Sequence, residues 1–157
     1  RRWPQLVCLL IGEGEDREAL EGRVAELGLG DNVRLMGYRP DARKLMQAMD
    51  VVVLPSVAIE GLGIVLIEAA FLGKPTVGSD APGIREAVVD RQTGVLVPPS
   101  DPEALAAAIA EVISNPEVAA EMGQRGRARA QRMFSLDGMV ARAEELYRKL
   151  LREHNRL

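Results

Sequence analysis

The sequence predicts an α/β fold, a parallel sheet flanked by helices, and three observations carry that reading. Short aliphatic runs such as "LVCLLI" (6–11) and "GVLVP" (94–98) alternate with longer segments of helical periodicity. The run "VVVLP" (51–55) is apolar throughout, the pattern of a strand covered on both faces rather than one. From Asp101 onward the character changes to helix alone, so the last third is expected to pack on the sheet. The 157 residues suffice for one such domain with a real core.

The elements come in this order. The first strand, 6–11, closes on "GEG", and a helix from about Asp16 to Leu27 stops in the Gly28 and Gly30 region. "NVRLM" (32–36) is a second strand, ending at Gly37, and "DARKLMQAM" (41–49) a short helix with Asp41 as N-cap after Pro40. The apolar strand 51–55 leads to a helix over 63–72, with Gly73 as its stop and Pro75 beyond. "PTVGS" (75–79) and 94–98 are further strands around a short helix, "GIREAVV". "DPEALAAAIAEVI" places Asp at the cap and Pro at the first helical position, "NPEVAAEMGQRGRARAQRMF" repeats that start with Asn, and "LDGMVARAEELYRKLLRE" closes the chain.

Composition narrows the function. Hydrophobic residues at 47% against 27% charged describe a globular chain. A net charge of −3 argues against a phosphate-driven nucleic-acid binder. The four arginines of "RGRARAQR" (125–132), interleaved with alanines, read as a solvated helix face. Cys8, the single cysteine, is expected to be a small buried hydrophobe in a reducing compartment. No apolar run reaches membrane-spanning length. His154, the only histidine, lies near a C-terminus expected to fray, which argues against an imidazole triad or metal site, and the acids show no metal-cage spacing. "GEGEDR" (12–17) comes after a strand and precedes a helix, but Arg17 stands where a dinucleotide fingerprint needs its third glycine, which favours a plain tight turn.

The segment 55–68 is different. Pro55 ends the buried strand at the carboxyl edge of the sheet, where ligands of parallel sheets bind. Gly61 and Gly63 keep the backbone bare. The helix then presents unsatisfied N–H groups of Gly63, Ile64 and Val65, a terminus with about half a positive charge that suits a phosphate. Glu60 lies outside the helix, and Glu68 inside an otherwise apolar run, about 8 Å along the axis from Gly63. A carboxylate accepts hydrogen bonds only, and a vicinal diol offers two donors. The arrangement suits a sugar nucleotide, with diphosphate on the helix end, ribose at Glu68 and sugar hydroxyls near Glu60. The alternative is structural: Glu68 capping a neighbouring loop through backbone N–H groups, and Glu60 a surface acid.

"PSVAIEGLGIVLIEAAFLGKPTVGSDAPGIRE" (55–86) resembles the motif region of the family 4 retaining glycosyltransferases of the GT-B fold, with the Glu-x7-Glu pair at Glu60 and Glu68. The likeness extends through "IGEGEDREALEGRVAELGLGDNVRLMGY" (11–38), "TGVLVPPSDPEALAAAI" (93–109) and "FSLDGMVARAEELYRKLL" (134–151), essentially the whole chain. It implies a Rossmann-like, nucleotide-sugar-binding C-terminal half over residues 1–157. The N-terminal acceptor domain and the first βα unit, with the family's phosphate-binding Arg and Lys, are then expected to precede "RRWPQLVCLLIGEG", which opens like the middle of a larger protein.

The family's roles transfer where positions match. Glu60 is the candidate catalytic residue, facing donor-sugar hydroxyls, and Glu68 holds the ribose. Gly61, Gly63, Ile64 and Val65 line the donor site, with the Gly63 and Ile64 amides on the diphosphate. "GYRPDARK" (37–44) matches the base-contacting loop and brings in Arg39 and Lys44, for which solvated charges are an equal reading, while Tyr38 reads equally as packing. Three departures stand out: Leu62 for the usual Phe, "APGIRE" (81–86) for Gly-Gly-x-Pro-Glu, leaving Gly83 and Glu86 recognisable, and the absent Arg and Lys.

The resemblance implies a retaining hexosyltransferase without cofactor or metal, taking a nucleoside-diphosphate sugar. Its acceptor, a glycan, lipid or small molecule, sits on the other domain. A cytoplasmic location is implied, with peripheral contact at the inner membrane face where the acceptor is lipid-linked. The alternatives are a non-catalytic nucleotide-sugar-binding or regulatory domain of the same fold, and another GT-B enzyme such as a nucleotide-sugar epimerase.

Overall fold

A computed structural model describes residues 3–57 and 60–154 of the chain. The chain divides into two compact units, Arg1–Leu45 and Met46–Leu157. Where one continuous parallel sheet was expected, backbone hydrogen bonding makes two, one of two strands and one of three. Strand character along a sequence does not specify which strands bond to each other, and the single-sheet expectation fails there.

In the first unit β1 (Cys8–Ile11) pairs in parallel with β2 (Val33–Gly37), Cys8 opposite Val33 and Leu10 opposite Leu35. The register slips between Leu10 and Ile11, setting Ile11 against Gly37. Asn32 Nδ2 donates to the carbonyls of Pro4 and Leu6 at 2.8 and 2.7 Å, which holds the entering chain beside β2. Helix α1 (Arg17–Glu26) connects the strands, and α2 (Ala42–Met46) comes after them, shorter than the 41–49 expected. Cys8 is exposed rather than buried, because it opens the strand instead of sitting inside it. "GEGEDR" is a tight turn, with Gly12 at φ 141° and Arg17 held between Glu13 (2.8 Å) and Glu21 (2.9 Å).

In the second unit β3 (Val52–Leu54), β4 (Thr76–Ser79) and β5 (Val95–Val97) run parallel in that order, with Val52 beside Thr76 and Val77 beside Val95. β4 is central and buried throughout. Helices α3 (Ile64–Phe71) and α4 (Pro82–Ala87) contribute Leu66, Ile67, Ala69 and Ile84 to one apolar layer with Val52. The other layer joins Val77, Val95 and Val97 to Ala108 and Val112 of α5 (Pro102–Ser114) and Met122 of α6 (Pro116–Phe134). Alternation of side chains along each strand is what feeds both layers.

Some of the helix signals act as read and others do not. Asp101 Oδ1 accepts from Ala104 N at 2.9 Å, capping α5, and Gly73 takes φ 72° just past α3. Asn115 makes no side-chain cap on α6; its Nδ2 donates instead to the Glu111 carbonyl and closes α5. The arginines of 125–132 do more than face water: Arg129 donates to the carbonyls of Glu86 (2.8 Å) and Ala87 (3.2 Å), and Arg125 to that of Gln92 (2.8 Å). Nor does the whole last third pack on the sheet. α5 does, α6 lies on α3 and α5, and α7 (Leu136–His154) touches α6 and buries no residue among those described.

Leu66, 1% exposed, sits at the centre of the first layer. Leu66→Ala should lower unfolding stability by about 2–5 kcal/mol in urea titration. The same change at Leu20, 44% exposed on α1, should cost about 0.5 kcal/mol or less.

Candidate functional site

Parallel alignment carries β3, β4 and β5 to a common carboxyl edge, and the loops leaving β3 and β4 meet there. Beyond Leu54 the chain passes Pro55 and Ser56, and Ser56 Oγ donates to Glu60 Oε2 at 3.0 Å. Both side chains are half-buried, so Glu60 is not the free surface acid of the structural alternative. Nothing described lies within 4 Å of a Cβ built on Gly61, while Leu62 is 37% exposed.

Gly63 is buried at φ 62°, ψ 47°, the left-handed region where a Cβ is strained. That one residue reverses the chain into α3. Its carbonyl accepts from Leu66 (2.9 Å) and Ile67 (3.3 Å), and α3 has no side-chain cap. Among the described residues, the amides of Gly63, Ile64 and Val65 find no acceptor, as the first N–H groups of an uncapped helix must. Helix α3 is short, but its orphan amides and partial positive charge lie at its first turn, where the effect is largest.

Glu68 lies one and a half turns further on, half-buried among Leu66, Ile67, Ala69 and Ala70, which are buried. No hydrogen bond or ion pair joins its carboxylate to another described residue, so it caps no loop among the described residues. Its free oxygens leave the acceptor capacity that a diol partner requires.

The loop "APGIRE" forms α4, with Pro82 at its first position. Gly83 has a specific reason to be glycine: a Cβ there would overlap the Glu60 carbonyl oxygen and lie 2.5 Å from that of Gly61. The backbone carrying Glu60 therefore rests directly on α4. Arg85 forks onto Asp80 at the end of β4, Nε to Oδ1 at 2.5 Å and Nη2 to Oδ2 at 2.9 Å. The hydrogen bond from Arg85 holds the Asp80 carboxyl below its usual range. Glu86 is exposed, and its backbone carbonyl, not its side chain, is engaged by Arg129.

Arg39 and Lys44 belong to the first unit. Arg39 is not a simple solvated charge, since its guanidinium forks onto Asp41 with both contacts at 2.8 Å. That pairing also displaces the expected capping role of the Asp41 side chain. The hydrogen bond from Arg39 lowers the Asp41 pKa. Lys44 is exposed, and Tyr38 is 76% exposed, which removes the packing reading for it.

Sequence reasoning passed over Ser56 and the Asp80–Arg85 fork. Ser56 stands four residues before Glu60 in irregular backbone, where no periodicity reports side-chain contact. Among the described residues no three His, Cys, Asp or Glu side chains cluster as metal ligands would, and no helix is long and apolar enough to cross a membrane.

Parallel strands flanked by helices, together with the likenesses that follow, make this the C-terminal domain of a GT-B glycosyltransferase. The chain belongs to the family described as glycosyl transferases group 1, whose model matches residues 1–129. It is 35% identical over 150 residues to a D-inositol 3-phosphate glycosyltransferase of Segniliparus rotundus, covering 90% of this chain and 33% of that protein. It is 30% identical over 139 residues to the lipopolysaccharide core biosynthesis glycosyltransferase LpsE of Rhizobium meliloti, covering 88% of this chain and 41% of that one. The crystal structure of Anabaena Alr3699/HepE in complex with UDP-glucose superposes with a TM-score of 0.84 at 30% identity, over 93% of this chain and 42% of that one. The chain thus spans about a third to two-fifths of the length of these two curated relatives.

Gly83→Ala should overpack the seat of residues 60 and 61, with a stability loss of about 1–3 kcal/mol in chemical denaturation. A crystal structure of the variant should show that loop displaced while β4 and α3 keep their places.

Proposed function

We propose that this chain is the donor-binding half of a retaining glycosyltransferase, taking a nucleoside-diphosphate sugar whose sugar passes to an acceptor held outside these residues. The observation that carries the reading is the uncapped start of α3, with the Gly63, Ile64 and Val65 amides finding no acceptor among the described residues and Glu60 and Glu68 on either side. Membership in the group 1 family and the likeness to a UDP-glucose complex support it.

The chemistry comes from charge. As the bond between the sugar and the diphosphate breaks, positive charge spreads over the anomeric carbon and ring oxygen, and negative charge gathers on the diphosphate. Fixed amides aimed at that developing anion stabilise the transition state more than the ground state. No metal is assigned to this step, and the amides at the start of α3 serve the leaving group. Glu68 accepts from the ribose diol. Glu60 accepts from sugar hydroxyls and holds the sugar in one orientation. The acceptor and its activation belong to the rest of the enzyme, which we place in the cytoplasm, peripheral to a membrane where the acceptor is a lipid.

A second reading, a domain that binds donor or regulates without turnover, draws on the 81–86 loop, whose Pro82 and Arg85–Asp80 fork replace the freer glycine pair.

Calorimetric titration with uridine, guanosine and adenosine diphosphates tests the proposal, and one of the three should bind. Glu68→Gln should weaken that binding by about 1–3 kcal/mol, since a charged acceptor becomes neutral. Glu60→Ala should leave diphosphate affinity unchanged and reduce only the affinity gained from the sugar. Unchanged affinity in Glu68→Gln would refute the ribose role. The 157 residues by themselves should give no measurable transfer, and detectable turnover would show that the acceptor machinery lies within them.

A further inference from the structure

We infer that Ser56 is a positioning residue for the donor sugar, acting through Glu60. The inference rests on the donor-binding reading and deepens it.

Glu60 stands on a loop, where a carboxylate side chain has three rotatable bonds and no helix or strand to restrict them. One contact restrains the side chain and another the backbone that carries it. From the side-chain end, the Ser56 hydroxyl donates to Oε2 at 3.0 Å. From the backbone end, Gly83 of α4 approaches so closely that any side chain there would strike the Glu60 carbonyl. Ser56 itself lies just past the end of β3, the firmest nearby attachment, with Val52 to Leu54 bonded to β4. The serine thus transmits the position of the sheet to the carboxylate.

The hydrogen bond occupies one lone pair of Oε2 and leaves Oε1 without a partner among the described residues. An acid aimed in this way accepts from a sugar hydroxyl without first losing its own rotamer entropy. Glu60 has no cation or other donor partner among the described residues, so the serine alone sets this orientation. Glu68 differs in standing on a helix, with no such hydrogen bond to its carboxylate among the described residues.

The test titrates the 157-residue chain with UDP and UDP-glucose, and in parallel with GDP and GDP-mannose, and compares each sugar nucleotide with its own diphosphate. For the pair that binds, Ser56→Ala should reduce the sugar-dependent gain in affinity about three- to tenfold, one hydrogen bond's worth, with diphosphate affinity unchanged. Ser56→Thr, which keeps the hydroxyl, should restore the gain. In a Glu60→Ala background Ser56→Ala should have no further effect, because the serine acts only through that carboxylate.

A full sugar-dependent gain in Ser56→Ala overturns the inference and leaves the donor-binding reading standing. So does an equal loss for diphosphate and sugar nucleotide, which marks a general structural role. A wild-type chain that binds diphosphate but gains nothing from the sugar overturns it too, since Glu60 then faces no sugar. Binding of none of the four, and of neither ADP nor ADP-glucose, removes the donor-binding reading and the inference with it.

Discussion

The left-handed backbone of Gly63 turns the end of a buried strand into a surface able to meet an anion. At φ 62° the chain leaves the β3 loop and enters α3 within one residue, and the first amides of the helix find no acceptor among the described residues. A capping Ser or Asp at this place would satisfy one of those amides and compete with any ligand. Glycine gives the turn and withholds the cap. The cost of an uncapped helix start is offset by the body of α3, where Leu66, Ile67, Ala69 and Ala70 are buried.

From that turn the other contacts can be ordered by what they hold still. The sheet fixes β3 and β4, and the layer around Leu66 and Ile84 fixes α3 and α4 on it. α4 supports residues 60 and 61 through Gly83, and α6 holds the far end of α4 through Arg129 on the Glu86 and Ala87 carbonyls. The arginine-rich helix is therefore a brace behind the candidate site. A guanidinium presents several donors in a fixed plane, and one side chain can satisfy two carbonyls at a helix end.

α7 stands apart from this scheme. It is amphipathic in sequence, yet Leu136, Met139, Tyr147 and Leu151 are all more than half exposed. Helical periodicity predicts that such a face exists. It does not say what the face meets, and the expectation that it covers the sheet failed for that reason.

Sequence alone determined the order of strands and helices, the start of α5 at Asp101, the stop of α3 at Gly73, and the two acids flanking a bare helix start. Those features depend on backbone sterics and on side-chain chemistry within a few residues, which are written locally. Tertiary structure alone decided that the strands form two sheets, that Cys8 is exposed, that Arg39 is tied to Asp41, and that Glu68 has no protein partner among the described residues. It also decided that Gly83 abuts Glu60, two residues 23 positions apart. Such contacts arise from how packed elements approach one another in space, and neither propensity nor period along a chain encodes that approach.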